Sequence, residues 1–418
     1  MSTTEKVPMA VEPSGGSFAD IVRGYIARVR GGEIGSLPAI LGLVVLVIVF
    51  SSLRPNSFTS AFNFANLINQ SAGIVVLSMG LIFVLLLGEI DLSAGFTGGT
   101  AAAVMGIVMT RHGWPWGTSL VAGLITGAVI GTVIGLLVSR LGIPSFVVSL
   151  AFFLGLQGVL LVMIGEGGTI PYRNEVILAL NNNSMPLWLG WAGTVVGLVA
   201  FAAITWRTNH RRRKAGLSSQ SVLLWSLKTG ALSVFVLLVV LYLSIERGPN
   251  PTLKSIKGVP IVLAIIVGLL VVLTYVLNRT AWGRHIYAVG GNAEAARRSG
   301  INVAWVKLSC FIMSSSMAAL AGILIASRNN SVSPTTGGNA TLLYAVGAAV
   351  IGGTSLFGGK GRVSDAVVGG LVIAVIDNGM GLMRQPTGNV YMITGLVLLI
   401  AASVDAISRR QAAASGRA

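Results

Sequence analysis

The chain has 418 residues, of which 54% are hydrophobic and only 10% charged, and its mean hydropathy is +0.82. So few charges exclude a soluble globular fold and leave an all-α polytopic membrane protein. The net charge of +16 lies in the tails and in short loops between apolar runs, which suits cytoplasmic loops and leaves no soluble basic domain to grip nucleic acid.

Residues 1–36 are polar and lack the apolar core of a cleavable leader. Within them Phe18–Arg30 is a basic amphipathic stretch that would lie on the inner membrane surface, with Arg23, Arg28 and Arg30 facing the headgroups. Residues 37–408 read as one transmembrane domain and 409–418 as a cytoplasmic tail. The first apolar run is Leu37–Leu53, and the Asn-rich stretch Arg54–Asn69 predicts a short interfacial helix. Two runs, Ser71–Gly88 and Gly95–Thr110, flank the sequence GEIDLSAG. As one straight helix Ser71–Thr110 would be about 60 Å long, twice the hydrocarbon thickness, so the chain must break near Glu89–Gly95.

Further spans are expected at Leu120–Ser139, Ser145–Ile164, Leu187–Trp206, Ser221–Ser244, Val259–Leu277, Val303–Ala326, Leu342–Phe357, Val363–Met383 and Val390–Ile407, about twelve crossings in all. An even number puts both termini and the basic loops Arg207–Lys214 and Arg279–Arg298 inside. Arg247, Lys254 and Lys257 then fall in an outward loop as an exception. The spacing Gly88-x3-Leu92-x2-Gly95 recurs as Gly352-x3-Leu356-x2-Gly359, each after an apolar run. Duplicated halves with Gly-interrupted segments mark transporters, with the pathway between the halves.

Ionisable groups inside apolar runs are functional candidates, because each costs about 2.5–3.5 kcal/mol to insert. Gly88, Glu89, Asp91 and Gly95 form one such group, with two roles open. The carboxylates line a pathway or gate, or Asp91 or Ser93 caps a helix start at the inner interface. Gly352 and Gly353 sit at the corresponding second break. Asp377 and Asn378 fall inside Val363–Met383, Gln157 inside Ser145–Ile164 and Ser314 inside Val303–Ala326. Each reads as pathway lining or as a hydrogen bond between helices.

The stretch Arg279–Ile301, RTAWGRHIYAVGGNAEAARRSGI, is the longest polar loop of the second half. Asn292 is placed to cap a short helix and Gly300 to end it, which gives a small basic helix under the membrane domain, suited to a partner's groove. No nucleotide site accompanies it. GGTSLFGGKGR (Gly352–Arg362) fails as a phosphate loop, since Lys360 is followed by Gly361 rather than Ser or Thr. No catalytic constellation is visible, the three histidines lack metal-ligand spacing, and the lone Cys310 reads as a packing residue.

Glu294-Ala295-Ala296-x3-Gly300 resembles the Glu-Ala-Ala-x3-Gly loop with which permease subunits of bacterial ATP-binding-cassette importers dock on their ATPase. The downstream Ile-x-Leu-Pro is absent, as in ribose, arabinose and xylose permeases. GEIDLSAG is similar to their Gly-Ile-Asp-Leu-Ser-x-Gly motif, with Glu89 where Gly is common. PSFVVSLA (Pro144–Ala151), GRHIYAVGGNAEAARRSGINV (Gly283–Val303) and AVIGGTSLFGGKG (Ala349–Gly361) match as well. The resemblance covers roughly Asn63–Ser408. Glu89, the helix pair around WRTNHRRRKAGL and DNGMGLM (Asp377–Met383) are most similar to xylose permeases.

That resemblance implies an inner-membrane permease subunit, not itself an enzyme, that moves a monosaccharide. D-Xylose or another pentose is the expected substrate. Its implied partners are a second permease copy, a cytoplasmic ABC ATPase, an extracytoplasmic sugar-binding protein and the lipid bilayer. ATP and Mg would be held by the ATPase and no cofactor by this chain. Arg284, Asn292, Glu294, Ala295, Ala296 and Gly300 would couple to the ATPase. The competing readings are a proton-coupled secondary transporter using Glu89, Asp91 or Asp377, and a channel or scaffold.

Overall fold

A computed structural model describes residues 36–217, 219–248 and 255–414; the amphipathic stretch Phe18–Arg30 lies outside them. Among the described residues, eight helices are long and apolar enough to cross a membrane and four shorter helices are apolar. They coincide with the twelve apolar runs of the sequence, so the fold is all-α and polytopic. In chain order the helices are α1 (Leu37–Leu53), α2 (Pro55–Phe58), α3 (Ala61–Leu86), α4 (Ala94–Thr110), α5 (Trp116–Ser139), α6 (Ser145–Ile164), α7 (Glu175–Asn182) and α8 (Leu187–Lys214). They continue with α9 (Val222–Leu243), α10 (Ile261–Arg279), α11 (Ala281–Gly291), α12 (Ala293–Arg298), α13 (Val303–Asn329), α14 (Asn339–Gly352), α15 (Val363–Leu382) and α16 (Thr387–Ala414). Two short strands, β1 (Ile170–Pro171) and β2 (Ser331–Val332), pair antiparallel.

Four boundaries differ from expectation. The Asn-rich stretch is not an interfacial helix: after the single turn α2, Ser60 caps α3 by accepting a hydrogen bond from the Asn63 N–H at 3.2 Å, and Asn63, Asn66 and Asn69 enter that 26-residue helix. Asn63 is met there by the Asn378 amide of α15 and Asn66 by the Arg328 guanidinium of α13. The loop 165–186 folds into β1 and α7, strapped down where Ser327 donates to the Ile177 carbonyl and Asn181 to the Leu324 carbonyl. The expected span Leu342–Phe357 ends at Gly352, because Gly353 is left-handed at φ +117°. The last helix runs on to Ala414, through the start of the expected tail.

Helix α13 forms the axis of the bundle, with α3, α4 and α5 packed around it; α14 and α15 form a second pair against α3. Small residues allow this closeness. Gly123, Gly127, Gly131 and Gly135 fall four apart on α5 and make one smooth ridge. A Cβ at Gly131 would stand 2.6 Å from the Phe311 carbonyl oxygen and 2.7 Å from the Ser315 Cβ. Helices α8 and α9 are peripheral: only 6% of each apolar window is buried, which leaves their faces to lipid.

The charge exception has a local answer at Arg247. Its guanidinium is folded inward and donates to the Ser184 hydroxyl and the Gly258 carbonyl, each at 2.9 Å.

Candidate functional site

Three irregular pieces of backbone meet at one end of the bundle. The first is α11–α12. Thr280 Oγ1 accepts from the Gly283 N–H at 3.1 Å and Asn292 Oδ1 from the Ala295 N–H at 2.9 Å, which caps both short helices. Gly300, at φ +85°, ends α12 as its sequence predicts. Glu294 lies on the exposed side and pairs with Arg297 at 3.1 Å and Arg298 at 3.2 Å. Such exposed pairs are worth about 0–1 kcal/mol, so they leave the carboxylate ready to exchange partners. Ala295 and Arg284 are also exposed, whereas Ala296 is buried against the bundle.

The inner face of α11 consists of Gly283, Ile286 and Val289. Trp282 stacks on Phe83 of α3 with ring centroids 5.5 Å apart and donates to Ser309 Oγ at 2.7 Å. Tyr287 donates its hydroxyl to the Gly361 carbonyl at 2.8 Å. Burial, then the nearby Asp365 carboxylate, push its phenol above the usual range, which keeps that donor protonated.

The second piece is the break between α3 and α4. Gly88 turns it at φ +73°. Asp91 is 2% exposed. Its Oδ1 accepts from the Ser93 N–H at 3.1 Å and the Ser93 hydroxyl at 2.6 Å, and its Oδ2 accepts from Ser314 of α13 at 3.1 Å. Ser93 is the N-cap residue of α4 but makes no side-chain cap, so the expected helix cap is absent; Asp91 instead clamps the turn and ties it to α13. Glu89 forms an ion pair with Lys307 of α13. Ile90 donates its N–H to Ser145 Oγ and accepts from Ser149 Oγ of α6, both at 3.2 Å.

The third piece is the break between α14 and α15. Asp365 Oδ2 accepts from the Arg362 N–H at 2.8 Å and the Thr354 hydroxyl at 3.0 Å, a capping arrangement that starts α15. A Cβ at Gly352 would collide with the Asp365 backbone. The three pieces touch through backbone. The Gly359 N–H donates to the Leu86 carbonyl at 2.8 Å. Gly290 of α11 lies against both: a Cβ there would overlap the Leu86 carbonyl and stand 2.9 Å from the Gly359 nitrogen. The two breaks with matching glycine spacing are thus neighbours, and α11 is seated on their junction.

The other expected residues lie elsewhere. Asp377 and Asn378 sit toward the opposite end of α15, bonded to Gln70 and Asn63 of α3. Gln157 is half-buried on α6 and, among the described residues, makes no hydrogen bond. Gly95 packs its backbone against the Gly337 carbonyl. Sequence reasoning missed Lys307, although a lone cation just inside an apolar run was a usable signal. It also missed Gln70 and Arg328, whose partners are more than two hundred residues away. No group of metal-ligating side chains occurs among the described residues.

Comparison with known proteins places the chain in a family. The xylose transport system permease protein XylH of Escherichia coli K12 is 33% identical over 410 residues, 98% of this chain and 99% of that protein. The fructose import permease protein FrcC of Rhizobium meliloti is 30% identical over 90% of this chain and 88% of its own length. The ribose import permease protein RbsC of E. coli K12 is 28% identical over 88% and 92% respectively. No solved structure matches. The family model described as branched-chain amino acid transport system / permease component matches residues 63–402. With that match over most of its length, the chain belongs to this family of membrane permease subunits.

Proposed function

We propose that the chain is the membrane-spanning subunit of an ATP-driven importer for a neutral monosaccharide, with D-xylose or another pentose as the cargo. One observation carries the reading. The capped helix α12 offers Glu294 and Ala295 to a partner, while α11, joined to it through Asn292, rests on the backbone of both breaks. A push on α12 therefore reaches the two places where the membrane helices are interrupted. The relatives named as xylose, fructose and ribose permeases support a sugar as cargo.

In this reading two permease copies stand on a cytoplasmic ABC ATPase in the inner membrane, with both termini inside. An extracytoplasmic binding protein delivers the sugar, and ATP and Mg stay on the ATPase. Closure of the ATPase moves α11–α12 as one rigid piece. The Gly-rich breaks absorb the displacement because glycine accepts backbone angles that other residues resist.

The test is Glu294→Lys in the assembled transporter. The variant is expected to lose co-purification with the ATPase and ATP-dependent sugar uptake while the permease itself remains folded. Normal assembly and transport would remove the docking role. Uptake by the purified chain alone in liposomes, driven only by a pH gradient, would favour a proton-coupled carrier instead.

A further inference from the structure

At the end of the bundle away from α12, polar side chains from several helices meet inside apolar packing. Part of the set is closed. Asn63 of α3 and Asn378 of α15 exchange amide hydrogen bonds at 2.9 Å in both directions. Asn63 also donates to the Phe58 carbonyl at 3.0 Å, and Asn378 to Gln70 Oε1 at 3.3 Å. Both are buried, and the pair clasps α3 to α15 with its polar groups engaged.

The rest of the set is open. Gln70 donates to Asp377 Oδ2, and among the described residues Asp377 Oδ1 has no hydrogen-bond partner. Arg328, at the end of α13, makes only long contacts with Asn66, at 3.3 Å to the side-chain oxygen and 3.4 Å to the backbone carbonyl. It lies within electrostatic reach of Asp377 yet forms no ion pair with it. Tyr344 of α14 lies within electrostatic reach of the same carboxylate. All five residues are half-buried. If these charges served only to join helices, the closest ion pair would offset their desolvation best. Held apart, they keep an acceptor-only carboxylate and a donor-only fork unspent, flanked by two amides and a phenol, with no net charge.

We propose that Asn66, Gln70, Arg328, Asp377 and Tyr344 form a hydroxyl-binding station for the transported sugar. A carboxylate and a guanidinium held near each other but unpaired can engage different hydroxyls of one sugar, each of which both donates and accepts. The neutral sum of charges suits an uncharged polyol, and the neighbouring aromatic Tyr391, with its ring centroid 6.4 Å from that of Tyr344, adds an apolar wall. The station rests on the sugar-import reading and lies on the side that faces the binding protein in that reading.

Cys310 is the chain's single cysteine and is fully buried, so an introduced cysteine reports alone. In membrane vesicles holding the whole transporter, Asn66→Cys and Tyr344→Cys are labelled with an impermeant thiol reagent from the side opposite α12. The binding protein is supplied empty or loaded with whichever of D-xylose, D-ribose and D-fructose the vesicles import. Loaded binding protein is expected to slow labelling at both positions by about fivefold, the protection given by a site mostly occupied. Asn183→Cys, exposed at the same end outside the cluster, should label equally in both conditions. Equal labelling at Asn66→Cys and Tyr344→Cys with and without sugar, in vesicles that import it, overturns the station and leaves the import reading standing. Wild-type vesicles that import none of the three sugars overturn the import reading and the station with it.

Discussion

At the scale of single residues, Asp91 shows why a carboxylate persists in so apolar a chain. It receives three hydrogen bonds, two from Ser93 and one from Ser314, and is almost fully enclosed. Asp91→Ala strands those donors without an acceptor and is expected to destabilise the fold by about 1–3 kcal/mol. Cys310 becomes reactive only when the core opens, so a thermal melt followed by a thiol-reactive dye measures the loss. That an acid would sit at this break was legible from its isolation among apolar residues. Its partner was not, because Ser314 lies 223 residues away and one serine among three in a row carries no pairing signal.

Glu246 makes a residue-scale prediction about pH. The Ser255 hydroxyl, then the Gly248 and Ile256 N–H groups, hold its carboxyl at about 2, below the ordinary 4.5. A folded-state pKa lower than the unfolded one stabilises the loop fully above the unfolded value, and that contribution is lost as pH falls through about 2. Glu246→Gln removes the charge at every pH. Hydrogen exchange at neutral pH should therefore be faster at the Gly248 and Ile256 amides in the variant than in the native chain.

Elements were legible where their cause is local. The cap Asn292 and the stop Gly300 lie in one short stretch, so α12 could be placed from sequence alone. The break between α3 and α4 followed from length against bilayer thickness. Neither the 26-residue reach of α3 nor the early end of α14 followed in that way. The first depends on distant partners, Asn378 of α15 for Asn63 and Arg328 of α13 for Asn66, and the second on Gly353 turning left-handed and on the Asp365 backbone packed against Gly352. The glycine ridge of α5 was readable but unread: four glycines at intervals of four are a packing face before any coordinates exist. Gly131→Leu tests it. The side chain would enter the Phe311 backbone, which cannot rotate away, and overpacking of this kind costs about 1–3 kcal/mol or more. The variant should melt earlier by the same dye assay, whereas Gly155→Leu on α6, with nothing within 4 Å of where its Cβ would stand, should not.

For the whole molecule the central question is whether α11 merely rests on the two breaks or drives them. Glycine at position 290 is what lets three backbones meet, since any side chain there must displace the Leu86 carbonyl or the Gly359 nitrogen. The proposed docking face, with the exposed Glu294 and Ala295, belongs to the next helix. Gly290→Val should therefore separate two functions that a general loss of folding would remove together. The ATPase should still co-purify and hydrolyse ATP, while sugar uptake per ATP falls by about tenfold or more, the effect of misaligning the transmission by roughly 1.4 kcal/mol. Gly290→Ala, with a smaller intrusion, should fall between the variant and the native chain. The measurement is uptake and hydrolysis side by side in the same proteoliposomes. If both decline in proportion, the junction is structural support and the coupling runs elsewhere. If hydrolysis persists while uptake fails, the push on α12 reaches the membrane helices through the meeting of Leu86, Gly290 and Gly359.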